Sequence, residues 1–562
     1  MMRLDTHTLL FVGVLAILAY LIIPPLIFVV QTSFLTVRGS ATQAVGLQNY
    51  VSVLSAPDMS ALIANTLTFA LGSSVLGLIF GTSLAWLVER TNTPFRRATY
   101  LAAFISIAVP GIIKVVGWIL LLGPRNGLFN VWLREIFGPS APSFNIFSLH
   151  GMILVEGILW TPVVFLLMAV PFRSMDPALE EASSIAGASI WGTFYHVTFK
   201  LATPSVLSVL LLTFVRSVEA FEIPALIGIP SRVMVFTTEI YFKIRRGFPP
   251  NYGEASAYSV ILMLLVSIGI VLYSKATRAA QRFHTITGRG FRPKQIDLGR
   301  WRFFTGALIL FLPLLILLPI VVLLWASVVP VYTQPSMQSL RSLTLQNYFG
   351  AFDNTNVQNA VGNTLIIALV GATLTMLITA VAAWLIVRTR ISYRWLLDML
   401  ASLTLVFPGV VLGVAILRTY LSLPIPIYGT IWILVLAYLT RFVSYGMRYA
   451  LPGILQIDQE LEESSMASGA SWGATFLRIV APLMMPALFG GWVWIFLISV
   501  RELSIAVILS SPRSQVVSVA LFELWQDGQL TEMAAFAIVV TAGVTAVATL
   551  FHRISWRYGV QA

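Results

Sequence analysis

Two short segments of this sequence carry the same arrangement of acidic, small and glycine residues. Each segment opens at an aspartate, Asp176 or Asp458, whose side chain can cap the start of a helix. Gly187 and Gly469 stand where that helix would end and the chain would turn. The residues of interest between these points are Glu180, Glu181, Ala182, Glu462, Glu463 and Ser464. Because small side chains leave a slender surface, the pattern predicts two short helices on which another protein docks.

We call residues 176–188 the first acidic loop and residues 458–470 the second acidic loop. They have an alternative interpretation as ordinary amphipathic connectors, whose acids only balance nearby arginines. An unconstrained connector, however, has no reason to repeat its Glu-Glu pair and its glycine at the same spacing. We therefore favour the docking interpretation.

Charges inside otherwise apolar stretches form a second set of candidates. They are Lys114, Glu156, Arg216, Glu219 and Glu222 in the first half of the chain, and Arg501 and Glu502 in the second. Ionisable side chains in a membrane are costly, so they usually line a cavity or pair with each other. Two roles stay open, a translocation pathway or internal ion pairs that fix helix packing. The mixed signs do not identify a substrate, because carboxylates suit a cation whereas Lys114 and Arg501 suit an anion.

Composition excludes several other chemistries. The 562 residues include no cysteine, which rules out disulfides, thiolate metal sites and thiol catalysis. Nothing resembles a Walker A loop, so we predict no catalytic residue, no metal site and no cofactor bound by this chain. The net charge of +12 is better explained by basic loops on one side of a membrane than by a nucleic-acid partner.

The chain is predicted to be an all-α integral membrane protein. Its residues are 58% hydrophobic and only 10% charged, and the mean hydropathy is +0.87. Apolar stretches of about 20 residues, each long enough to cross a bilayer as a helix, recur from end to end. We predict about twelve spans, near residues 8–35, 62–89, 98–123, 148–170, 201–228, 254–275, 303–327, 360–387, 396–421, 428–450, 483–510 and 532–552.

The sequence contains an internal duplication. Leu47-Gln48-Asn49-Tyr50 recurs as Leu345-Gln346-Asn347-Tyr348, and Pro110-Gly111 recurs as Pro408-Gly409, with 345 − 47 and 408 − 110 both equal to 298. The acidic loops match at a shift of 458 − 176 = 282, because the first half carries extra residues around 123–149. We predict a first half at 1–275, a basic cytoplasmic linker at 276–302 and a second half at 303–562.

An even number of spans in each half makes the two six-helix repeats parallel. Orientation follows from lysine and arginine, which favour the cytoplasmic side. Most of them then fall on one side, together with both termini, and these include Arg90, Arg96, Arg97, Arg173, Arg388, Arg390 and Arg394 as well as the linker. The exceptions are Arg232, Lys243, Arg245 and Arg246, which this topology puts outside.

Proline and glycine mark special points within the spans. Pro110 and Pro408 fall in the middle of equivalent spans, where proline removes a backbone hydrogen bond and bends the helix. They are candidates for a gate, and a static kink is the alternative. Gly77 and Gly81 form a GxxxG face that suits close helix packing.

The acidic loops resemble the "EAA…G" loop of the permeases of binding-protein-dependent ABC importers. Glu181-Ala182-Ser183 with Gly187, and Glu463-Ser464-Ser465 with Gly469, carry the resemblance. The second copy also has the distal Ile479 and Pro482 of that pattern, where the first has Val197 and Lys200. The resemblance implies that each loop is a coupling helix that sits in a cleft of an ATPase subunit.

The same resemblance implies the rest of the machinery. The chain would be the pathway subunit in a bacterial inner membrane, with two copies of a cytoplasmic ATPase that bind ATP and Mg, and with a substrate-binding protein. The fused halves and basic linker look most like ferric-iron permeases, and phosphonate, polyamine and thiamine permeases are close alternatives. An ion-coupled secondary transporter is the hypothesis from another class, since its halves can also be parallel repeats.

Overall fold

The computed structural model describes residues 6–38, 42–281 and 295–557, and these are mostly helical. Helices of the first half are α1 Thr6–Phe34, α2 Gln48–Leu54, α3 Met59–Arg90, α4 Arg96–Ala108, α5 Gly111–Leu122, α6 Leu128–Phe137, α7 Leu149–Ser174, α8 Pro177–Ile185, α9 Ile190–Thr193, α10 Phe199–Val218, α11 Phe236–Arg245 and α12 Tyr252–Gln281. Arg282, Arg289, Arg292 and Lys294 of the predicted linker lie outside the described residues.

The second half repeats the order. Its helices are α13 Trp301–Val328, α14 Met337–Arg341, α15 Gln346–Asp353, α16 Thr355–Arg388, α17 Trp395–Leu403, α18 Gly409–Ser422, α19 Ile431–Leu455, α20 Gln459–Ala467, α21 Trp472–Thr475, α22 Ala481–Arg501, α23 Ala506–Leu509, α24 Val517–Gln526 and α25 Leu530–Arg557. The π-helical turns are Phe194–Thr198, Pro224–Gly228 and Phe476–Val480, and Thr404–Val406 is a 3-10 turn. Strands β1 Leu35–Arg38 and β2 Thr42–Val45 pair antiparallel, with Leu35 opposite Val45.

Most of the predicted spans are present as long apolar helices. In the part of the chain that the structure describes, nine helices could cross a membrane, and two bent pairs raise the number to eleven. The remaining prediction, the tenth span at 428–450, corresponds to α19, a helix of 25 residues whose apolar run is interrupted by Arg441 and Arg448. The chain is therefore an all-α membrane protein, with a count slightly below the predicted twelve.

The fifth and eleventh spans were predicted too long. Helix α10 ends at Val218 and α22 ends at Arg501, whereas the predictions ran to 228 and 510. In the first half, Glu219 closes the helix and Pro224 opens a separate π-helical turn. Hydropathy alone misses these ends because the residues that follow are again apolar.

The described residues divide into two compact units. Unit 1 comprises the described parts of Met1–Ala56, Glu239–Met263 and Tyr348–Ala562, and unit 2 comprises Pro57–Thr238 and the described parts of Leu264–Asn347. The core of unit 2 is the packing of α3 against α7 and α10, and the core of unit 1 is the equivalent packing of α16 against α19 and α22.

The first helix of each sequence half belongs to the unit built from the other half. In unit 1, α1 packs on α17 and α18, and the hydroxyl of Tyr420 donates to that of Tyr20 at 3.1 Å. In unit 2, α13 packs on α4 and α5, and the hydroxyl of Tyr332 donates to the carbonyl of Leu120 at 2.8 Å. The compact units therefore do not coincide with the two sequence halves, because α1 belongs to unit 1 and α13 belongs to unit 2.

A small residue permits the close approach of the central helices in both units. In unit 2, a Cβ added to Gly81 of α3 would lie 2.5 Å from Cβ of Val164 in α7. In unit 1 the glycine is on the other helix of the pair. A Cβ on Gly446 of α19 would lie 2.7 Å from the hydroxyl oxygen of Thr379 in α16. Since 379 − 81 is 298 and 446 − 164 is 282, the same contact keeps one small partner in each copy.

We predict that Gly81→Ala destabilises the folded protein by about 1–3 kcal/mol, because the added methyl group collides with Val164 and the backbone of Phe165. Thermal unfolding in detergent measures the effect. Gly362→Ala is the matched control, since a Cβ at this α16 position meets nothing within 4 Å. The double variant Gly81→Thr with Val164→Gly copies unit 1 and should recover stability. Equal unfolding midpoints for Gly81→Ala and Gly362→Ala would contradict the packing argument.

Candidate functional site

The two acidic loops fold in the same way. The side chain of Asp176 accepts from the amide of Ala178 at 2.9 Å, and that of Asp458 accepts from Glu460 at 3.1 Å, so each aspartate caps the helix that follows, α8 or α20. Both helices stop at a glycine with a positive φ of +83° or +87°, which L side chains rarely adopt. After the turn, the amides of Ala188 and Ala470 bond back to the carbonyls five residues earlier, at 3.1 and 3.2 Å.

The first glutamate of each Glu-Glu pair faces inward. Glu180 is 8% exposed and accepts from the buried Arg90 at the end of α3 and from Thr198 at 2.6 Å. Glu462 is 5% exposed and accepts from Arg388 at the end of α16 at 2.7 Å and from Trp384 at 2.9 Å. These two carboxylates therefore anchor the loops to the helices of the bundle and do not belong to the exposed face.

The second glutamate of each pair is exposed, together with apolar neighbours. Glu181 and Ala182 in the first loop, and Glu463 and Ser464 in the second, lie on the surface. Large apolar side chains accompany them, namely Leu179, Ile185, Leu461 and Met466. Ile185 is 88% exposed. Exposed apolar side chains next to acids on an ordered helix make a surface that a protein partner can cover.

Each acidic loop is also fastened to the helix that follows it. The hydroxyls of Ser183 and Thr193 lie 2.9 Å apart in the first copy, and those of Ser465 and Thr475 lie 2.9 Å apart in the second. A π-helical turn comes next in both copies and contains Val197 or Ile479. Lys200 and Pro482 then fall in the first turn of α10 and α22. The two copies thus fold alike despite their difference at these distal positions.

An aromatic cluster distinguishes the second loop. Trp384 and Trp472 contact each other with ring centroids 4.9 Å apart, and His7 of α1 packs against both at 5.4 and 5.8 Å. Phe476 stacks on Trp472 at 5.4 Å. The start of α1 is therefore packed directly against the base of the second acidic loop.

Both Pro-Gly pairs interrupt a span completely. Helices α4 and α5 are bent by 106° at Pro110-Gly111, and α17 and α18 by 109° at Pro408-Gly409. Each proline occupies the N-cap, with ψ near +140°, and the glycine after it begins the new helix. The predicted bend is therefore a break between two helices that meet at about a right angle. Its role as a gate stays a prediction.

The predicted intramembrane charges of the first half are found in unit 2. Lys114, Glu156 and Glu219 are buried, and Glu222 is half-buried. Lys114 donates to the carbonyl of Ser106 at 2.8 Å, while Glu156 accepts from the indole of Trp160 at 2.8 Å. Lys114 and Glu222 lie near enough to Glu156 to act on its charge. None of these four side chains is fully exposed at the surface, and three come together.

Arg216 and Glu219 form an ion pair of 3.1 Å, one helical turn apart on α10. This pair matches the structural alternative that the sequence left open, because each charge neutralises the other. In unit 1, Arg501 is the last residue of α22, and the next residue, Glu502, accepts from the amide of Ile505 at 3.1 Å. Both are half-buried.

Glu222 sits against the start of α5. A Cβ added to Gly111 would lie 1.9 Å from Oε2 of Glu222, so any side chain at this position would displace the carboxylate from the start of α5. A helix N-terminus favours a carboxylate, since its first amides are unpaired and its dipole is positive there. In unit 1 a Cβ on Gly409 would meet Ser504 at 2.8 Å and Glu502 at 3.3 Å, so the break in each copy is closed by polar side chains that follow α10 or α22.

Three of the four basic residues that the topology puts outside, Lys243, Arg245 and Arg246, are engaged within unit 1, while Arg232 is exposed in unit 2. Lys243 pairs with Glu254 at 2.8 Å, and Arg245 donates to the carbonyls of Val507 and Ser510 at 2.9 and 2.7 Å. Burial alone would lower the pKa of Lys243, but the hydrogen bond and charge of Glu254 hold it above its ordinary value. These charges therefore stabilise local structure, which explains why they depart from the positive-inside pattern.

The sequence interpretation treated Arg90 and Arg388 only as markers of the cytoplasmic side. In the structure they are the partners of the anchoring glutamates. A signal was available, because 388 − 90 is 298 and 462 − 180 is 282, so both partners keep the shift of their own block. Polar residues that recur at both shifts were candidates for a contact between the blocks.

We predict that Arg388→Met costs about 3–5 kcal/mol of stability, because it leaves Glu462 buried without its cation. Thermal unfolding and limited proteolysis at the second acidic loop measure the loss. Arg390→Met, at an exposed arginine two residues further on, is the control and should behave as the unmodified protein. The double variant Arg388→Met with Glu462→Met should regain most of the stability. If the single variant unfolds like the control, the anchor makes no contribution.

Comparison with known proteins agrees with this geometry. Residues 73–283 match the family described as the binding-protein-dependent transport system inner membrane component. The chain is 26% identical over 512 residues to the ferric transport system permease protein FbpB of Actinobacillus pleuropneumoniae, covering 90% of this chain and 73% of that protein. It is 23% identical over 517 residues to the Fe(3+)-transport system permease protein FbpB 2 of Haemophilus influenzae, covering 90% and 92%.

Among solved structures, the crystal structure of a bacterial ABC transporter involved in the import of the acidic polysaccharide alginate aligns with 47% of this chain and 89% of its own, at 20% identity and a TM-score of 0.38. The family match lies in the first half, and the similarity to the two permeases runs through both halves. Over 90% of its length the chain is therefore similar to ferric transport permeases, and residues 73–283 match the family of binding-protein-dependent inner-membrane transport components.

Proposed function

We propose that this permease forms the translocation pathway of an importer for ferric iron. Two relatives that align with 90% of the chain are named as ferric or Fe(3+) permeases, and this supports the choice of cargo. Intramembrane carboxylates at Glu156, Glu219 and Glu222 suit a trivalent cation. A phosphonate, a polyamine or thiamine remain the alternative cargoes. A periplasmic or extracellular binding protein delivers the cargo to the outer end of the pathway.

ATP hydrolysis is assigned to a separate ATPase, of which two copies bind, one at each acidic loop. The observation that carries this proposal is the repeated loop geometry: an anchored glutamate inside, and an exposed glutamate with apolar neighbours outside. ATP and Mg bind to those partners. With the loops on the cytoplasmic side, both termini are cytoplasmic as well. An ion-coupled secondary transporter has no use for two docking helices.

The outward-half charges are proposed to line the pathway in unit 2. Glu222 is the sharpest candidate, since it is half-buried and lies at the break between α4 and α5. Glu219 forms an ion pair with Arg216, and this pairing favours a structural role for Glu219. Lys114, Glu156, Arg501 and Glu502 complete the proposed set, and Pro110 and Pro408 are the proposed gate positions.

We predict that Glu181→Arg and Glu463→Arg each reduce ATP-driven uptake, and that the double variant abolishes it while the chain stays folded. Reversing an exposed charge on a docking helix weakens ATPase binding without disturbing a core. Uptake and ATPase co-purification in reconstituted vesicles are the measurements. Glu135→Arg, an exposed reversal on α6, is the control. Normal uptake by the double variant would refute the docking role, as would ATP hydrolysis by this chain alone.

We predict that the complex with its binding protein and ATPase imports radiolabelled ferric iron into vesicles, and that Glu222→Gln slows import several-fold without loosening ATPase binding. The neutral amide removes a charge that the cargo meets and keeps the shape of the side chain. Glu135→Gln serves as the control. Import of a phosphonate, polyamine or thiamine in place of iron would show that the cargo is different. Uptake along an ion gradient without the ATPase would show that the chain is a secondary transporter.

A further inference from the structure

A cavity of about 260 Å³ opens between α17 and α19 of unit 1. Four polar side chains line it, Asp398 and Ser402 from α17 and Ser444 and Arg448 from α19, together with the apolar Leu405 and Met447. None of its lining residues belongs to the acidic loops or to the charges proposed for the pathway. It thus brings one cation, one anion and two hydroxyl groups to a small volume.

One polar group of this cavity, the hydroxyl of Ser444, is buried without a partner in the described part of the chain, whereas Asp398, Ser402 and Arg448 are exposed at its mouth. Ser444 is only 3% exposed, and its hydroxyl oxygen has no hydrogen-bond partner. A buried hydroxyl without a partner is unfavourable, so such a group indicates that a ligand or water completes it. Asp398 and Arg448 are exposed residues that line the same cavity, and the ion pairs found among the described residues include neither of them.

The first copy of the duplication provides an internal comparison. At the positions equivalent to Asp398, Ser402, Ser444 and Arg448 it has Tyr100, Phe104, Pro162 and Leu166. The hydroxyl of Tyr100 bonds to Glu89, and Arg173 donates to it at 2.7 Å, so this polar group is satisfied by its own unit. The same helix pair is thus filled in one copy and carries an unpaired polar cavity in the other, which packing alone does not require.

The cavity lies at the ends of its two helices. Asp398 is in the first turn of α17, and Arg448 is in the last third of α19, ten residues before the cap of the second acidic loop. Tyr393 and Trp395 are exposed beside it, and Arg390 and Arg394 precede it in the chain. Exposed aromatic and basic side chains at helix ends are typical of the headgroup level of a bilayer.

We propose that this cavity binds the headgroup of a phospholipid that carries both a phosphate and a primary ammonium, the phosphatidylethanolamine type. The guanidinium of Arg448 and the hydroxyls of Ser402 and Ser444 donate to the phosphate oxygens. The carboxylate of Asp398 accepts from the ammonium group. A headgroup with no ammonium, such as that of phosphatidylglycerol, can place its phosphate at Arg448 but leaves the carboxylate of Asp398 without a cation. The site does not depend on which solute the permease carries.

Lipid titrations of the purified chain, followed by native mass spectrometry, test the proposal. Phosphatidylethanolamine should bind about tenfold more tightly than phosphatidylglycerol. Arg448→Leu, which installs the residue of the first copy, should weaken phosphatidylethanolamine about tenfold, the size expected for one lost charged hydrogen bond. Asp398→Tyr should remove the preference between the two lipids. Arg390→Leu, at a neighbouring exposed arginine, is the control and should change neither affinity.

Each outcome decides the proposal. Equal binding of the two lipids by the unmodified protein, or an Arg448→Leu variant that binds like Arg390→Leu, overturns it. Soluble glycerophosphoethanolamine, which is the headgroup without the acyl chains, is tested in the same way. If it binds as tightly as the lipid and Arg448→Leu weakens it equally, the site recognises the headgroup chemistry but the ligand does not come from the membrane. Thermal unfolding verifies that the variants are folded. Should Arg448→Leu fail to fold, Ser402→Phe fills the cavity with the side chain of the first copy and should abolish the preference.

Discussion

The structure of both acidic loops depends on one interaction, a buried ion pair between the loop and the end of a long helix. Arg90 holds Glu180 in unit 2, and Arg388 holds Glu462 in unit 1. A buried charge that loses its partner is strongly destabilising, so loop and helix end are tied together. A displacement of the exposed side of α8 or α20 is therefore passed to α3 or α16, each of which is central to the packing of its unit. Removing the arginine would leave each loop fastened to its surroundings by neutral hydrogen bonds, such as those of Ser183 with Thr193 and of Ser465 with Thr475.

The duplication shows how one geometry is kept by different residues. The helix crossing of α3 with α7 keeps its glycine on α3, and that of α16 with α19 keeps it on α19. Glu180 takes its second hydrogen bond from Thr198, and Glu462 takes it from Trp384. A close helix crossing needs one small residue, and a buried carboxylate needs its hydrogen-bond donors, but neither need fixes which position supplies them. Each residue of such a pair can therefore change if its partner compensates.

Periodicity and hydropathy were sufficient for much of this fold, because a membrane leaves few ways to satisfy backbone groups. The helical class, the caps at Asp176 and Asp458 and the turns at Gly187 and Gly469 all followed from local rules. The ends of α10 and α22 did not, since the residues beyond Val218 and Arg501 are largely apolar again, and hydropathy does not distinguish a continued span from a new turn such as the one that begins at Pro224.

The candidate sites were predictable to a different degree. Sequence patterns found the Glu-Glu pairs but could not say that one member points inward, because burial is decided by Arg90 and Arg388, about 90 and 74 residues away in sequence. The right-angle breaks at Pro110 and Pro408 exceeded the predicted bend, since proline sets only the local backbone. The only sequence signal for the cavity was that Arg448 of the second copy stands at the position of Leu166 in the first copy.

The exchange of α1 and α13 between the two halves constrains how the chain is made. Ribosomes add about 5–20 residues per second, so α1 waits roughly 20–70 s before the helices on which it packs, α17 and α18, have been synthesised. Unit 2 is completed earlier, when α13 emerges. During that interval α1 is in the bilayer with its packing face covered only by lipid or by a chaperone of the insertion machinery. Biosynthesis of this chain is therefore ordered in time, because unit 2 is complete while α1 still lacks α17 and α18.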